Sequence, residues 1–208
     1  MLGLVMADNL LIMFMCWELV GLCSYLLIGF WYHRPAAAQA ARKAFFITRI
    51  GDFGFLAAIL LLFTSTGTLN VNDIHTAAIA GAVSSTVITW AALGIFMGAM
   101  GKSAQFPLHT WLPDAHSKAP SAVSAILSGV LLNVGMYGIL RMYAVVRQTQ
   151  AENLVSQFLM VFGLLTVAVA VLNMLLQRNL KMLIAFSSME HMGILLLGIG
   201  VGTPLALF

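Results

Sequence analysis

Charge is what this sequence has least of. Of its 208 residues only 8% are Asp, Glu, Lys or Arg, against roughly 25% in ordinary soluble domains. With 61% hydrophobic residues and a mean hydropathy of +0.98, the chain is too poor in charge for a soluble domain's surface, and the solvent that suits it is lipid. Cysteine is scarce as well. Cys16 and Cys23 lie in one apolar segment, which makes them small core residues rather than a disulfide frame or a metal site. There is no Gly-rich nucleotide loop and no cluster-binding cysteine pattern, so no redox cofactor is expected in this chain. The net charge of +3 comes without a basic run interleaved with aromatics, which argues against nucleic-acid binding. Neither a basic segment before the first apolar run nor a small-residue cleavage site after it is present, so no cleaved signal peptide is expected. A nucleophile and base in register, as an intramembrane hydrolase needs, are also missing.

What is present is a series of long apolar runs. A hydrocarbon core about 30 Å thick takes about 20 helical residues, so about six crossings fit in this length. The pattern predicts a first span over 6–32 ending in the interfacial cluster Phe30, Trp31 and Tyr32, and a second over 44–66. Residues 67–85, rich in Gly, Thr, Ser and Asn and holding Asp73 and His75 but no Lys or Arg, read as a loop. A third span from about 86 runs into Gly101-Lys102-Ser103, and Pro107 beyond it predicts a discontinuous helix. The fourth covers 121–143, the fifth 154–176, and the sixth follows Lys181 to the end of the chain. The fold class is therefore an all-α polytopic transmembrane bundle. Arg34, Arg42, Lys43, Lys118, Arg178 and Lys181 fall in alternate links, with Arg141 and Arg147 opposite. The richer side is assigned to the cytoplasm, which leaves the Asp73 loop outside. Opening almost directly in a span and stopping just after an apolar run, residues 1–208 read as one transmembrane domain and a fragment of a longer protein.

An ionisable side chain at membrane depth costs about 2.5–3.5 kcal/mol on insertion scales, so each needs a partner, a water-filled cavity or a function. Glu18, mid-span, and Lys102, beside the predicted break, are the clearest cases. Burial disfavours a charged lysine and a nearby carboxylate favours it, so moving Glu18 relative to Lys102 would switch the lysine between holding and releasing a proton. The bland alternative is a buried pair that only fixes helix packing. Arg49 and Asp52, at i and i+3, can neutralise each other as a structural charge pair, or one of them can pair with Glu18 across helices. His109 and His116 are relay candidates because histidine titrates near neutral pH, although interfacial structural roles suit them equally. The spacing of His109, Asp114 and His116 fits no familiar zinc ligand set. Ser128, Asn133, Lys181, Glu190 and His191 complete a set of polar steps for a relay. Helix-to-helix hydrogen bonding serves as well for Asn133 and snorkelling for Lys181.

The segment from Trp17 to Phe30, Trp17-Glu18-Leu19-Val20-Gly21-Leu22-Cys23-Ser24-Tyr25-Leu26-Leu27-Ile28-Gly29-Phe30, resembles the fifth helix of the largest antiporter-like subunit of respiratory complex I. Arg49-Ile50-Gly51-Asp52 and Gly101-Lys102-Ser103-Ala104-Gln105-Phe106-Pro107-Leu108 resemble the same subunit. Membrane subunits of energy-converting hydrogenases and multisubunit sodium/proton antiporters are related to it. The resemblance implies two inverted five-helix repeats, each with a broken helix, of which this chain holds most of the first and the start of the second. It also implies a Glu18–Lys102 pair that drives proton uptake and release. Partner membrane subunits are implied, with NADH, flavin, iron–sulfur clusters and quinone in other subunits and none here. The activity implied is that of a translocase subunit with no redox centre of its own, moving protons or sodium across a prokaryotic plasma membrane. One departure stands in the fourth span, where the family has histidine at Ser128 or lysine at Asn133. Together with the segments from Pro113 to Pro120 and from Glu190 to Gly193, this span looks more like a hydrogenase-linked subunit.

Overall fold

Inside lipid a backbone must satisfy its own hydrogen bonds, and helices do so without a partner. The computed structural model describes residues 1–203 and is built from helices: α1 (Leu2–Val5), α2 (Leu10–Ile28), α3 (Pro35–Thr66), α4 (Val71–Ile79), α5 (Ser85–Lys102), α6 (Leu112–Lys118), α7 (Ser121–Val146), α8 (Glu152–Leu176) and α9 (Leu180–Val201). The final apolar residues 205–208 lie outside the described residues. Helices α2, α3, α7, α8 and α9 are each long and apolar enough to cross a membrane. The third apolar run of the sequence forms α5, which stops at Lys102 and is followed after a break by α6.

Three boundaries differ from the sequence pattern for physical reasons. The first long helix starts at Leu10, because the Asn9 side chain accepts from the Leu11 amide and caps it. Helix α3 begins at Pro35, well before residue 44, because proline suits the first helical turn and an alanine-rich run follows. Its 32 residues span about 48 Å, more than the apolar core of a bilayer, so its basic end reaches beyond the core. The segment 67–85 is not all loop. Asn70 caps α4, Asp73 sits in its first turn, and Ile74 and Ala78 bury one face against the bundle.

Small residues set how closely the helices pack. Along the α3–α5 seam a Cβ on Gly54 would stand 2.9 Å from the Met97 side chain, and one on Gly94 would stand 2.6 Å from the Gly54 carbonyl oxygen. Gly51 and Gly98 are equally crowded, against Met97 and Phe55. Such stripes let backbones approach where lipid supplies no hydrophobic drive between helices. Gly163 and Gly193 play the same part between α8 and α9. The outward faces carry exposed Leu19, Leu26, Leu164, Leu175 and Leu176, an apolar surface of the kind that suits lipid.

Polar contacts at the ends fix the topology. Lys43 Nζ lies 2.6 Å from Asp114 Oδ2, joining α3 to α6. Lys181 Nζ donates to the Ala119 carbonyl at 3.2 Å, so the basic links gather at one end of the bundle. At the other end the Leu10 amide donates to Leu69, the Val71 amide to Asp8, and Arg141 to the Ala7 carbonyl.

Gly54→Leu forces the α3–α5 seam apart and should destabilise the subunit by about 1–3 kcal/mol, seen as a lower melting temperature of the detergent-solubilised assembly. A Cβ on Gly129 meets nothing within 4 Å, so Gly129→Ala should stay within about 0.5 kcal/mol of the parent.

Candidate functional site

Four ionisable side chains on three helices meet inside the bundle. Helix α2 carries Glu18, α3 carries Arg49 and Asp52, and α5 ends on Lys102. Lys102 Nζ lies 3.1 Å from Asp52 Oδ2, with the two side chains only 1% and 2% exposed. Trp17 Nε1 donates to the other carboxylate oxygen of Asp52 at 2.7 Å, so both oxygens of this buried anion are engaged. The Lys102 ammonium also lies 5.9 Å from the centre of the Trp17 ring, within cation–π range. Gly21 leaves room for it, since a Cβ there would stand 2.7 Å from Nζ.

Glu18 and Arg49 form the second ion pair, and they are less enclosed, with side chains 20% and 33% exposed. Glu18 precedes Gly21 by one turn of α2, and Arg49 precedes Asp52 by one turn of α3. The two pairs are therefore neighbours, joined through α3 and, at Gly21 beside the Lys102 ammonium, through α2. Glu18 Oε1 is buried with no hydrogen-bond partner among the described residues. Of the pairings open from sequence, Arg49 takes the cross-helix one, to Glu18, rather than its i+3 neighbour Asp52, and Lys102 meets Asp52 rather than Glu18. An i, i+3 spacing allows a contact on one helix, but at this site the facing helices supply nearer partners.

Lys102 sits where α5 ends. Residues 103–111 form the break, with Ala104 at φ 51° in the left-handed region and fully buried. Trp111 Nε1 donates to the Gly101 carbonyl at 3.0 Å, satisfying one of the groups left open at the helix end. His109 stacks on Phe106 with ring centres 5.8 Å apart. His109 Nδ1 and His116 Nε2 are buried nitrogens without a partner among the described residues.

The remaining candidates are spread along α7 and α9. A π-helical turn over Leu127–Leu131 interrupts α7, and within it Ser128 Oγ meets Ser188 Oγ of α9 at 2.8 Å. Asn133 turns back on its own helix, its amide donating to the Gly129 carbonyl. Lys181 is bound to the Ala119 carbonyl at the basic end. His191 is exposed, its Nδ1 lying 2.7 Å from the Ser187 carbonyl, and Glu190 is half-buried. Among the described residues no group of three or more His, Cys, Asp or Glu side chains is arranged to hold a metal ion.

Sequence reasoning passed over Trp17, Gln105 and Thr166, all completely buried. Tryptophan in an apolar helix reads as bulk, and a lone glutamine or threonine carries no charge to draw notice. For Gln105 the nearness of Lys102 and Pro107 was the available signal.

Residues 7–207 match the family model described as NADH:quinone oxidoreductase/Mrp antiporter, TM. The NAD(P)H-quinone oxidoreductase subunit 5 of the Paulinella chromatophora chromatophore is 40% identical over 99% of this chain and 31% of its own length. The chloroplast subunit 5 of Triticum aestivum is 40% identical over 98% of the chain and 28% of its own. This chain thus spans about a third of the length of these curated relatives. Among solved structures, a chain of the Mrp complex from Dietzia superposes with a TM-score of 0.89 at 33% identity, over 99% of this chain and 22% of that one. A chain of the membrane-bound sulfane sulfur reductase, an archaeal respiratory membrane complex, gives 0.82 at 26% identity, over 95% of this chain and 40% of that one. The chain belongs to the NADH:quinone oxidoreductase/Mrp antiporter family of transmembrane proteins.

Proposed function

We propose that this chain is the ion-translocating part of a longer antiporter-like subunit in a redox-driven, complex I-like NADH–quinone oxidoreductase. The observation that carries the reading is the buried Lys102–Asp52 pair at a helix break, one turn of α3 from a second ion pair. Two neighbouring pairs of this kind can exchange partners. In the present arrangement Asp52 holds Lys102 and Glu18 holds Arg49. If Arg49 turns to Asp52, its i+3 neighbour, Asp52 is neutralised in place and Glu18 is left free. Lys102 then either follows to Glu18 or stays as a buried ammonium without a carboxylate. The second state is costly, and losing the proton relieves it. Return of Arg49 to Glu18 restores Asp52 as counter-charge and favours protonation of Lys102 again. The Glu18–Lys102 pairing expected from the family is, on this reading, the other state of the quartet.

A recess at the basic end lined by Gln39, Lys43, Asp114 and Lys118 offers ions a way in. His109 and His116 lie between that end and Lys102 in the chain, and Ser128, Ser188, Glu190 and His191 offer polar steps onward. The redox centres are proposed to sit in partner subunits. The archaeal respiratory relative supports a prokaryotic plasma membrane as the location. A second reading, a sodium/proton antiporter subunit, is supported by the likeness to the Mrp complex.

Lys102→Ala should lower ion transport in inverted vesicles by about tenfold or more, and Glu18→Gln should lower it by less, each normalised to assembled complex. Transport unchanged by both substitutions leaves a structural scaffold as the better reading. Asp52→Leu strands a buried ammonium and should destabilise the subunit by about 3–5 kcal/mol. The double variant Asp52→Leu with Lys102→Met should regain most of that stability, read as melting temperature, while transport stays lost. A purely structural pair would recover both together. On the proton reading transport should run at the same rate in sodium-free buffer, whereas dependence on added sodium selects the antiporter.

A further inference from the structure

The residues just past Lys102 are tied to the bundle by two side chains that the ion-pair exchange does not use. Gln105 and Thr166 are each 0% exposed. The Gln105 amide donates to the Met192 carbonyl of α9 at 3.3 Å and approaches Met136 Sδ at 3.6 Å. Thr166 Oγ1, on α8, accepts from the Phe106 amide at 3.1 Å and donates within its own helix to the Phe162 carbonyl at 2.7 Å. It also lies 3.5 Å from Gln105 Oε1. A neutral amide and a hydroxyl buried this completely are costly unless bonded, and a low-dielectric interior strengthens the bonds they make. Both partners lie on one hairpin, because Gly163 and Gly193 bring α8 and α9 into backbone contact. Met192 follows Glu190 and His191 directly in that hairpin.

We propose that Gln105 and Thr166 are positioning residues that lock the break after Lys102 to the α8–α9 hairpin, so that hairpin movement and the Lys102–Asp52 contact are mechanically coupled. The inference rests on the proton-carrying role given to Lys102. The break has no regular ladder to hold it, and these bonds, with Trp111 on Gly101, define where α5 ends. A shift of α9 acts on Gln105 three residues from the ammonium, and through Phe106 the same segment follows α8.

The test uses the full subunit in its assembled complex. Transport per assembled complex is measured in inverted vesicles, and amide hydrogen exchange is followed over residues 103–111 and 189–196. Thr166→Val, which keeps the shape and removes the hydroxyl, and Gln105→Leu should each lower transport about fivefold or more. Exchange should rise in both segments. Thr166→Ser keeps the hydroxyl and should stay within about twofold of the parent. If Gln105→Leu prevents assembly, Gln105→Asn takes its place, and the Thr166 pair remains decisive. The coupling is overturned if transport per assembled complex is unchanged, if Ser is as damaging as Val, or if exchange rises in the break alone. Lys102→Ala serves as reference: intact transport there removes the proton-carrier reading itself. Loss there with none at Gln105 and Thr166 removes only the coupling.

Discussion

The contact between the Lys102 ammonium and the Asp52 carboxylate is the constraint around which this bundle is arranged. Two opposite charges only 1% and 2% exposed hold in an apolar interior only if their geometry is good and their remaining hydrogen-bonding capacity is met. Nearby features of the site meet that condition for both oxygens of the carboxylate, and the ammonium adds the face of the Trp17 ring to its one hydrogen bond. Gly51 and Gly54 let α3 approach α5 closely enough for Asp52 to reach Lys102. Trp17 satisfies the second carboxylate oxygen, and its ring packs edge-on to Phe55 at 5.1 Å, fixing α2 against α3. Gly21 keeps the space that the ammonium occupies. The specificity of these contacts comes from small and aromatic residues around the charges, and the charges alone would not place three helices.

The helix break is the second half of the same arrangement. A lysine in the middle of an unbroken apolar helix has only the side chains of neighbouring helices to meet, whereas at the end of α5 the open backbone groups draw polar partners to the same place. Trp111 takes the Gly101 carbonyl, and Thr166 takes the Phe106 amide. Lys102 therefore sits between a packed ion pair on one side and a pinned but irregular segment on the other. Within such a frame a partner exchange by the side chains of Lys102 and Arg49 is tied to the position of the break, which its bonds to α8 and α9 set.

Much of this was legible in the sequence, and what was not had identifiable causes. The apolar runs located the crossings, and Pro107 beyond Lys102 located the break, because both depend on local chemistry. Glu18, Arg49, Asp52 and Lys102 stood out as charges in an apolar chain. A cross-helix pair to Glu18 was among the pairings they allowed, but the Lys102–Asp52 contact was not, because it depends on how α3 and α5 are rotated against one another, and that rotation is set by glycines whose facing partners lie 40 or more residues away in sequence. Helix α4 was hidden by its polar composition, although Asn70 as cap and the spacing of Ile74 and Ala78 carry its signature. Gln105 and Thr166 were hidden because neutral polar residues are common in loops and helices alike, and only their complete burial distinguishes them.

In the fourth apolar run hydroxyl and amide groups stand in place of charge. Where the family resemblance implies histidine or lysine, this chain has Ser128 and Asn133, and α7 has a π-helical turn over Leu127–Leu131 that contains Ser128. Ser188 donates to the Ile184 carbonyl at 3.0 Å, so in that orientation Ser128 donates to Ser188. Turning both hydroxyls reverses the sense of the pair. A hydroxyl pair of this kind can pass a proton by reorienting, since each oxygen both donates and accepts, but it stores no charge between turnovers. Asn133, bonded to its own helix, adds no storage either. On the proposed function, charge storage in this chain therefore rests on the quartet of α2, α3 and α5, with Glu190 as the next ionisable group in the membrane interior. On that reading the Ser128–Ser188 pair, joining α7 to α9, passes a proton without holding one.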